Sequence, residues 1–347
     1  MNITRIIHWL FVILISCFAY FDYGECVVPL IPIAVGGVAS IASYMARCYF
    51  KECCTDEYIP ANFSKLETAL KTEVYGQHLA HQTVLNALKG HFRTTEPKKA
   101  LVMSFHGLPG IGKNYVANFI TDALYKKGAE SQYVHFYKGR LNFPSDEKVE
   151  EYKEWIQKEL LTHLRTCQRS LFIFDEVDKI PEGVLNALVP FLDYHPMIPG
   201  INPTGAIFIF LSNTGGTLIA QRLIKLWKDG KKREETELQD FENLLARGAF
   251  NEKGGFHKCE TIEVSLIDYY IPFLPLEEVH VRACIIDAFQ RREVEPSDAM
   301  IAEGLSHVTF GPDTPNIYST AGCKRLDHKI SLIIQRDQIL QKLKDSN

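Results

Sequence analysis

The residues best spaced for chemistry lie between 104 and 115. Ser104-Phe105-His106-Gly107-Leu108-Pro109-Gly110-Ile111-Gly112-Lys113-Asn114 follows the apolar run Leu101-Val102-Met103. It fits the phosphate-cradling pattern G-x-x-x-x-G-K-[S/T] at Gly107, Gly112 and Lys113, with Asn114 in place of the hydroxyl residue. In such a loop the glycines let backbone N–H groups turn toward a polyphosphate, and the next helix presents its positive end. Lys113 then neutralises β/γ-phosphate charge, and Gly110, Ile111, Asn114 and Tyr115 complete the expected nucleotide contacts. A second stretch is Leu171-Phe172-Ile173-Phe174-Asp175-Glu176, an apolar run that ends in two carboxylates. Asp175 is suited to orient Mg²⁺ through its water shell, with the Asn114 amide also in reach of the metal; Glu176 is suited to polarise the water attacking a γ-phosphate. A third run, Ala206 to Leu211, ends in Ser212-Asn213, where Asn213 is expected to hydrogen-bond the γ-phosphate or the attacking water.

These residues need strand ends and helix starts to carry them. Tyr133 to Tyr137, the runs ending at Phe174 and Leu211, and Leu266 to Ile271 read as strands; the runs of uninterrupted apolar residues imply burial on both faces. Their C-terminal ends form the edge at which ligands bind in open α/β sheets. Helical spacing covers 65–89 with a break at Gly76, then 115–126, 146–167, 181–192, 218–248, 277–291, 298–309 and a last helix from Gly322 to about Leu343. Within the first of these, Val74-Tyr75-Gly76-Gln77-His78 stands shortly before the glycine-rich loop, which makes Tyr75 a candidate wall of an adenine pocket. The charged run Lys231-Lys232-Arg233-Glu234-Glu235 reads as a solvated face. Pro272 and Pro275 mark the boundary between a large α/β nucleotide-binding domain, 55–271, and a small helical domain, 272–347.

The chain has 347 residues and a formal net charge of -4, long enough for a sizeable core and without the basic excess of a nucleic-acid binder. Residues 1–26 read as a secretory signal: Arg5 precedes the apolar run Ile6 to Ala19, with small residues after it. Val27 to Ala46 is uncharged and near-spanning in length, but Pro29, Pro32, Gly36 and Gly37 break it. It therefore reads, within 27–47, as a membrane-associating segment that either spans or sits in one leaflet, with Arg47 and Lys51 at the headgroups. Cys48, Cys53 and Cys54 follow without a zinc spacing, which favours disulfides in an oxidising lumen. Asn62-Phe63-Ser64 is an N-glycosylation sequon.

In order, Val74-Tyr75-Gly76-Gln77, the loop ending Lys113-Asn114, Phe174-Asp175-Glu176, Leu211-Ser212-Asn213 and Gly322-Cys323-Lys324 resemble the torsins, Clp-related AAA+ ATPases of the endoplasmic reticulum and nuclear-envelope lumen. Phe191-Leu192-Asp193-Tyr194 and Pro272-Phe273-Leu274-Pro275-Leu276 carry the same resemblance, which covers roughly 27–340. It implies an AAA+ P-loop NTPase with a parallel central sheet and a small helical lid, with ATP and Mg²⁺ bound between them. It implies Asn213 as sensor 1, Lys324 as sensor 2, a Cys284–Cys323 disulfide, a Cys48–Cys167 pair and a monotopic membrane anchor. Related unfoldases carry an arginine finger where this chain has Leu266, in Ser265-Leu266-Ile267-Asp268. The resemblance therefore implies a slow ATPase, part of a homo- or hetero-oligomer, activated by a membrane-anchored luminal partner that lends the arginine. Its output is remodelling of protein complexes or membranes. A different reading of the small residues in 27–46 and the weak intrinsic chemistry is a nucleotide-gated filament or scaffold on membranes.

Overall fold

The computed structural model describes residues 51–194, 198–263, 265–311 and 316–345. The signal, the membrane-associating segment and Cys48 lie outside them. Residues 54–347 form one compact unit, distinct from residues 1–53.

The unit is built on a parallel five-stranded sheet in the order β2-β3-β4-β1-β5. The strands are β1 (Leu101–His106), β2 (Val134–Lys138), β3 (Leu171–Asp175), β4 (Ile207–Ser212) and β5 (Tyr269–Pro272). Strand alternation sorts their side chains by type. Leu101, Met103, Phe105, Leu171, Ile173, Ile207, Ile209 and Leu211 enter one core, and Phe172, Phe174, Phe208 and Phe210 enter the other. On that second face aromatic rings stack across neighbouring strands, Phe172 on Phe208 at 4.9 Å and Phe174 on Phe210 at 5.3 Å between centroids.

Helices cover both faces. Against the largely aliphatic face lie α1 (Phe63–Glu73), α2 (His78–Arg93) and α3 (Lys113–Leu124). The α3 stripe Val116, Ala117, Ile120, Ala123 and Leu124 is buried at helical spacing. On the aromatic face lie α5 (Val149–Thr166), which follows the short α4 (Gly139–Asn142), and the helical segments between β3 and β5. The expected helix over 181–192 is instead a 3₁₀ segment, Val184–Leu188, that leads into a single α turn, α6 (Val189–Leu192). Gly183 starts it in the left-handed region and the chain must fold tightly under α5. The expected long helix over 218–248 is two helices, α7 (Gly216–Lys228) and α8 (Glu242–Asn251). Gly230, at φ 90°, stops the first, and 3₁₀ turns at 233–235 and 238–240 join them. A short α9 (Glu260–Glu263) precedes β5.

After β5 come α10 (Glu278–Gln290), α11 (Asp298–Ser306) and α12 (Leu326–Asp345), which pack on one another. Ser297 caps α11 by accepting from the Met300 N–H. Arg292 donates to both carboxylate oxygens of Asp327, at 3.0 and 2.7 Å, tying α10 to α12.

Two disulfides bind the unit. Cys284–Cys323 forms as expected. The second corrects the expected partner: Cys167 pairs with Cys54, whose Cα lies 5.4 Å away. Cys167 ends α5 in the core, and the chain that enters the unit at residue 54 runs beside it, so Cys54 has the reach that spacing alone does not reveal.

Candidate functional site

Strand order decides the site. β1 and β3 both pair with β4, so the loops that leave these three strands emerge side by side at one sheet edge. The first is the glycine-rich loop. Gly107, Gly110 and Gly112 have φ values of 152°, 80° and 108°, and Gly112 starts α3 from the left-handed region. Lys113 reaches back into the loop and donates to the Gly107 and Leu108 carbonyls at 2.6 and 2.9 Å, and to Asn213 Oδ1 at 3.1 Å. Burial pushes its ammonium down to about 8, partly offset by the negative charges of Asp178 and Asp175.

The second loop carries Asp175 and Glu176. Asp175 Oδ2 accepts from Asn114 Nδ2 at 2.7 Å, and Oδ1 accepts from the Glu176 N–H at 2.8 Å. Glu176 is itself left-handed, at φ 53°, a conformation an L-residue adopts at a cost, and it turns the chain sharply off the strand. Gly139 packs against the Glu176 carbonyl so closely that a side chain there has no room. The third loop carries Asn213, next to Lys113. Asp178 Oδ1 accepts from both its N–H and its side-chain amide, at 3.1 and 3.3 Å.

Beneath these loops, the fully buried His106 bonds Ser104 Oγ at 2.7 Å and Thr214 Oγ1 at 3.2 Å, locking the β1 end to the β4 loop. Burial holds its imidazole at about 4, so it is a neutral structural group at ordinary pH.

The cleft over this edge is about 710 Å³. Tyr75, Gly110, Ile111, Gly112, Lys113, Asn114, Tyr115, Asp175, Glu176, Asn213 and Lys324 all line it. The expected set therefore converges, apart from Gly107, which underlies the loop. Lys324 arrives from the far side. The 321–324 segment lies directly on the glycine-rich loop: the Cys323 N–H donates to the Gly110 carbonyl at 3.0 Å, and neither Gly110 nor Gly322 has room for a Cβ. The Cys284–Cys323 bond, with both cysteines at the cleft wall, ties this segment to α10.

Several site residues escaped the sequence reading. Asp178 orients Asn213, and its only signal was an acidic residue in the turn after β3. Arg140 stands with Nε 3.9 Å from Glu176 Oε1, on the short α4 that follows edge strand β2, where no motif announces it. Arg291 lines the cleft but is held by Asp287 at 3.4 Å and Asp327 at 3.7 Å. Gln77 sits within a recognised stretch, yet its role needs the fold: its amide donates to the Ile111 carbonyl at 3.1 Å and the Leu274 carbonyl at 2.8 Å. Leu266 is buried in the aromatic-face core, so its side chain does not reach a surface where it could act on a neighbouring site.

The cleft residues suit a Mg-nucleotide. Gly107 and Gly110 stand in the loop where a side chain has no room, a buried ammonium lacks a direct carboxylate partner in the loop, and a carboxylate stands beside an amide at the mouth of α3.

A torsin family model matches residues 48–174. A torsin-like protein of Drosophila melanogaster is 43% identical over 313 residues, covering 87% of this chain and 92% of that protein. A torsin-like protein of Caenorhabditis elegans is 38% identical over 82% of this chain and 81% of its own length. Torsin-3A of Rattus norvegicus is 38% identical over 83% and 74%. Among solved structures, the Saccharomyces cerevisiae Hsp104–ADP complex superposes on 82% of this chain with a TM-score of 0.54 and 18% identity. Hsp104 with ATPγS and FITC casein, in its closed state, superposes with a TM-score of 0.56 and 19% identity. This chain spans about half the length of those chains, 48% in each case. The likeness to them shows the fold, an AAA+ α/β architecture.

Proposed function

This chain belongs to the torsin family of AAA+ proteins, and from that premise we propose that it is a luminal ATPase whose turnover depends on a partner. The observation that carries the reading is the convergence of Lys113, Asp175, Glu176 and Asn213 at one edge of the sheet, made by the pairing of β1 and β3 with β4. ATP lies between a core, 55–271, and a helical lid, 272–347. The 107–112 loop and Lys113 hold its phosphates, Tyr75 borders its base, and Lys324 approaches from the lid. Asp175 and Asn114 are the residues that hold Mg²⁺, which when bound neutralises charge on the β- and γ-phosphates. Glu176 takes a proton from the attacking water, and Asn213, aligned by Asp178, fixes that water or the γ-phosphate.

Leu266, buried among apolar side chains, supports the idea that the arginine comes from elsewhere. The partner is a membrane-anchored luminal protein with an AAA-like domain, and the output is remodelling of protein complexes or membranes. Localisation in the endoplasmic reticulum and nuclear-envelope lumen is supported by the signal-like N-terminus, the Cys54–Cys167 and Cys284–Cys323 disulfides and the exposed sequon residue Asn62. No helix among the described residues is long and apolar enough to cross a membrane. The reading assigns the membrane anchor to the uncharged apolar segment 27–47. Glu176→Gln tests the assignment. The variant is expected to bind ATP like the parent, to turn over at least about a hundredfold more slowly, and to hold its activator in a complex stable enough to isolate. Robust turnover by the parent without an activator, or normal turnover by the variant, contradicts the reading.

A further inference from the structure

Arg233 belongs to the charged run 231–235, which reads in sequence as a solvated face; Lys232, Glu234 and Glu235 are exposed as expected, but the Arg233 side chain is only 7% exposed. The guanidinium donates from Nη2 to the Gly76 carbonyl at 2.6 Å. From Nη1 it donates to the Pro275 carbonyl at 2.9 Å and to Glu277 Oε1 at 3.1 Å. The turn that carries it is pinned as well: Thr236 Oγ1 donates to the Arg233 carbonyl at 2.7 Å and meets His78 Nε2 at 3.2 Å.

Its two backbone acceptors stand at the roots of opposite cleft walls. Gly76 follows Val74 and Tyr75, which line the cleft. Pro275 and Glu277 lead into α10, whose Cys284, Asp287 and Ala288 line it from the lid side together with Arg291 just past its end. Gly76 is left-handed at φ 68°, and the His280 ring occupies the space a Cβ needs, 2.8 Å away. Gln77 forms a second strut alongside: it donates to the Ile111 and Leu274 carbonyls and accepts from the Leu274 N–H at 2.8 Å. Gln77 thus joins the glycine-rich loop to the segment after β5, and Arg233 joins the Tyr75 loop to the same segment from outside. Arg233 itself does not line the cleft.

We infer that Arg233 is a positioning residue for the nucleotide site. Its guanidinium sets the spacing between the 74–77 loop and the lid root at 275–277, so nucleotide affinity depends on a side chain that never touches the nucleotide. The inference rests on reading the cleft as a nucleotide site. A planar fork is required because three acceptors from two segments must be met at once; an ammonium is a single point and cannot span them in the same geometry. A buried cation is a poor device for stability alone, since desolvation offsets most of what its partners return. Here the return is a fixed distance between two walls.

The test compares Arg233→Lys, Glu277→Gln and Leu160→Ala in the full chain, by ATP titration calorimetry, single-turnover hydrolysis at saturating ATP and thermal unfolding. Leu160 is buried in α5 on the other face of the sheet and serves as a purely destabilising control. Arg233→Lys is expected to weaken ATP binding by about tenfold with the saturated rate within about twofold of the parent. Glu277→Gln, which keeps both carbonyl contacts, is expected to weaken binding by about threefold. Leu160→Ala is expected to lower the unfolding temperature without changing ATP affinity. Unchanged affinity in the Arg233 and Glu277 variants, or equal weakening in the Leu160 control, overturns the inference. A parent that binds no ATP overturns instead the reading of the cleft on which it stands.

Discussion

Lys113 shows what burial does to a residue whose identity the glycine-rich pattern announces. Its ammonium donates to carbonyls and one amide oxygen, with Asp178 and Asp175 acting from farther off, and burial brings its pKa down to about 8. The protonated form is the one that binds phosphate. Above that pKa the free protein has lost the proton and must regain it to bind, so ATP affinity falls as pH rises through about 8. Titration calorimetry in buffers of different ionisation enthalpy is expected to detect net proton uptake on binding near that pH. Affinity that is flat from neutrality to well above pH 8 contradicts the assignment. For the apo protein the sign is the opposite: the folded state loses the proton before the unfolded state does, so this group's destabilising contribution is complete below about 8 and shrinks above it.

The contact between the glycine-rich loop and the segment before α12 is where secondary elements, rather than single side chains, set the site. Gly110 and Gly322 face each other so closely that a methyl on either meets backbone of the other segment, and both have positive φ, at 80° and 55°. Gly322→Ala therefore combines left-handed strain of about 1 kcal/mol with a backbone overlap that only separation of the two segments relieves. Because Lys324 follows by two residues, that separation moves it. The expected result is ATP binding weakened by about tenfold or more with a modest loss of unfolding temperature. Crosslinking of Cys284 to Cys323 limits how far the segment can travel, and the chain-entropy model assigns that 39-residue loop closure about 4 kcal/mol. The variant's defect is thus expected to deepen when the bond is reduced. Binding unchanged in both redox states contradicts the view that this contact places Lys324.

For the whole molecule, the acid side of the stability curve follows from histidines buried in the neutral form. Burial holds His106, His81 and His280 each at about 4, and His135 at about 3. The unfolded chain takes up these protons near its ordinary 6.5, so below that pH the unfolded state binds more protons and stability falls. For the fully buried His106 the slope is about 1.4 kcal/mol per pH unit down to about 4; the others are partly exposed and add less. Asp327, held below the usual carboxylate range by its hydrogen bonds from Arg292, contributes in the same direction at still lower pH. The unfolding temperature is expected to drop by roughly 5 °C or more between pH 7 and pH 5. A midpoint that rises or stays level over that interval means these imidazoles are protonated in the folded state.

What the sequence alone determined was local: the glycine-rich loop, the acidic strand end, Asn213 after an apolar run and the fold class. Each rests on a physical requirement that only certain residues meet, such as left-handed backbone at Gly110 and Gly112 or apolar strands covered on both faces. The tertiary structure decided everything that joins segments distant in the chain. Cys54 rather than Cys48 bonds Cys167, because pairing follows distance in space and not spacing in sequence. The helix predicted over 181–192 is mostly a 3₁₀ segment and the one predicted over 218–248 is split in two, since fitting beneath α5 and turning at Gly230 outweighed propensity. Asp178, Arg140 and Gln77 acquired roles only when β3, β2 and the 74–77 loop were brought to one edge. Arg233 shows the limit most plainly. In a run of five charged residues nothing local distinguishes it from its neighbours. Only the arrival of the Gly76 and Pro275 carbonyls beside it turns a surface charge into a buried strut.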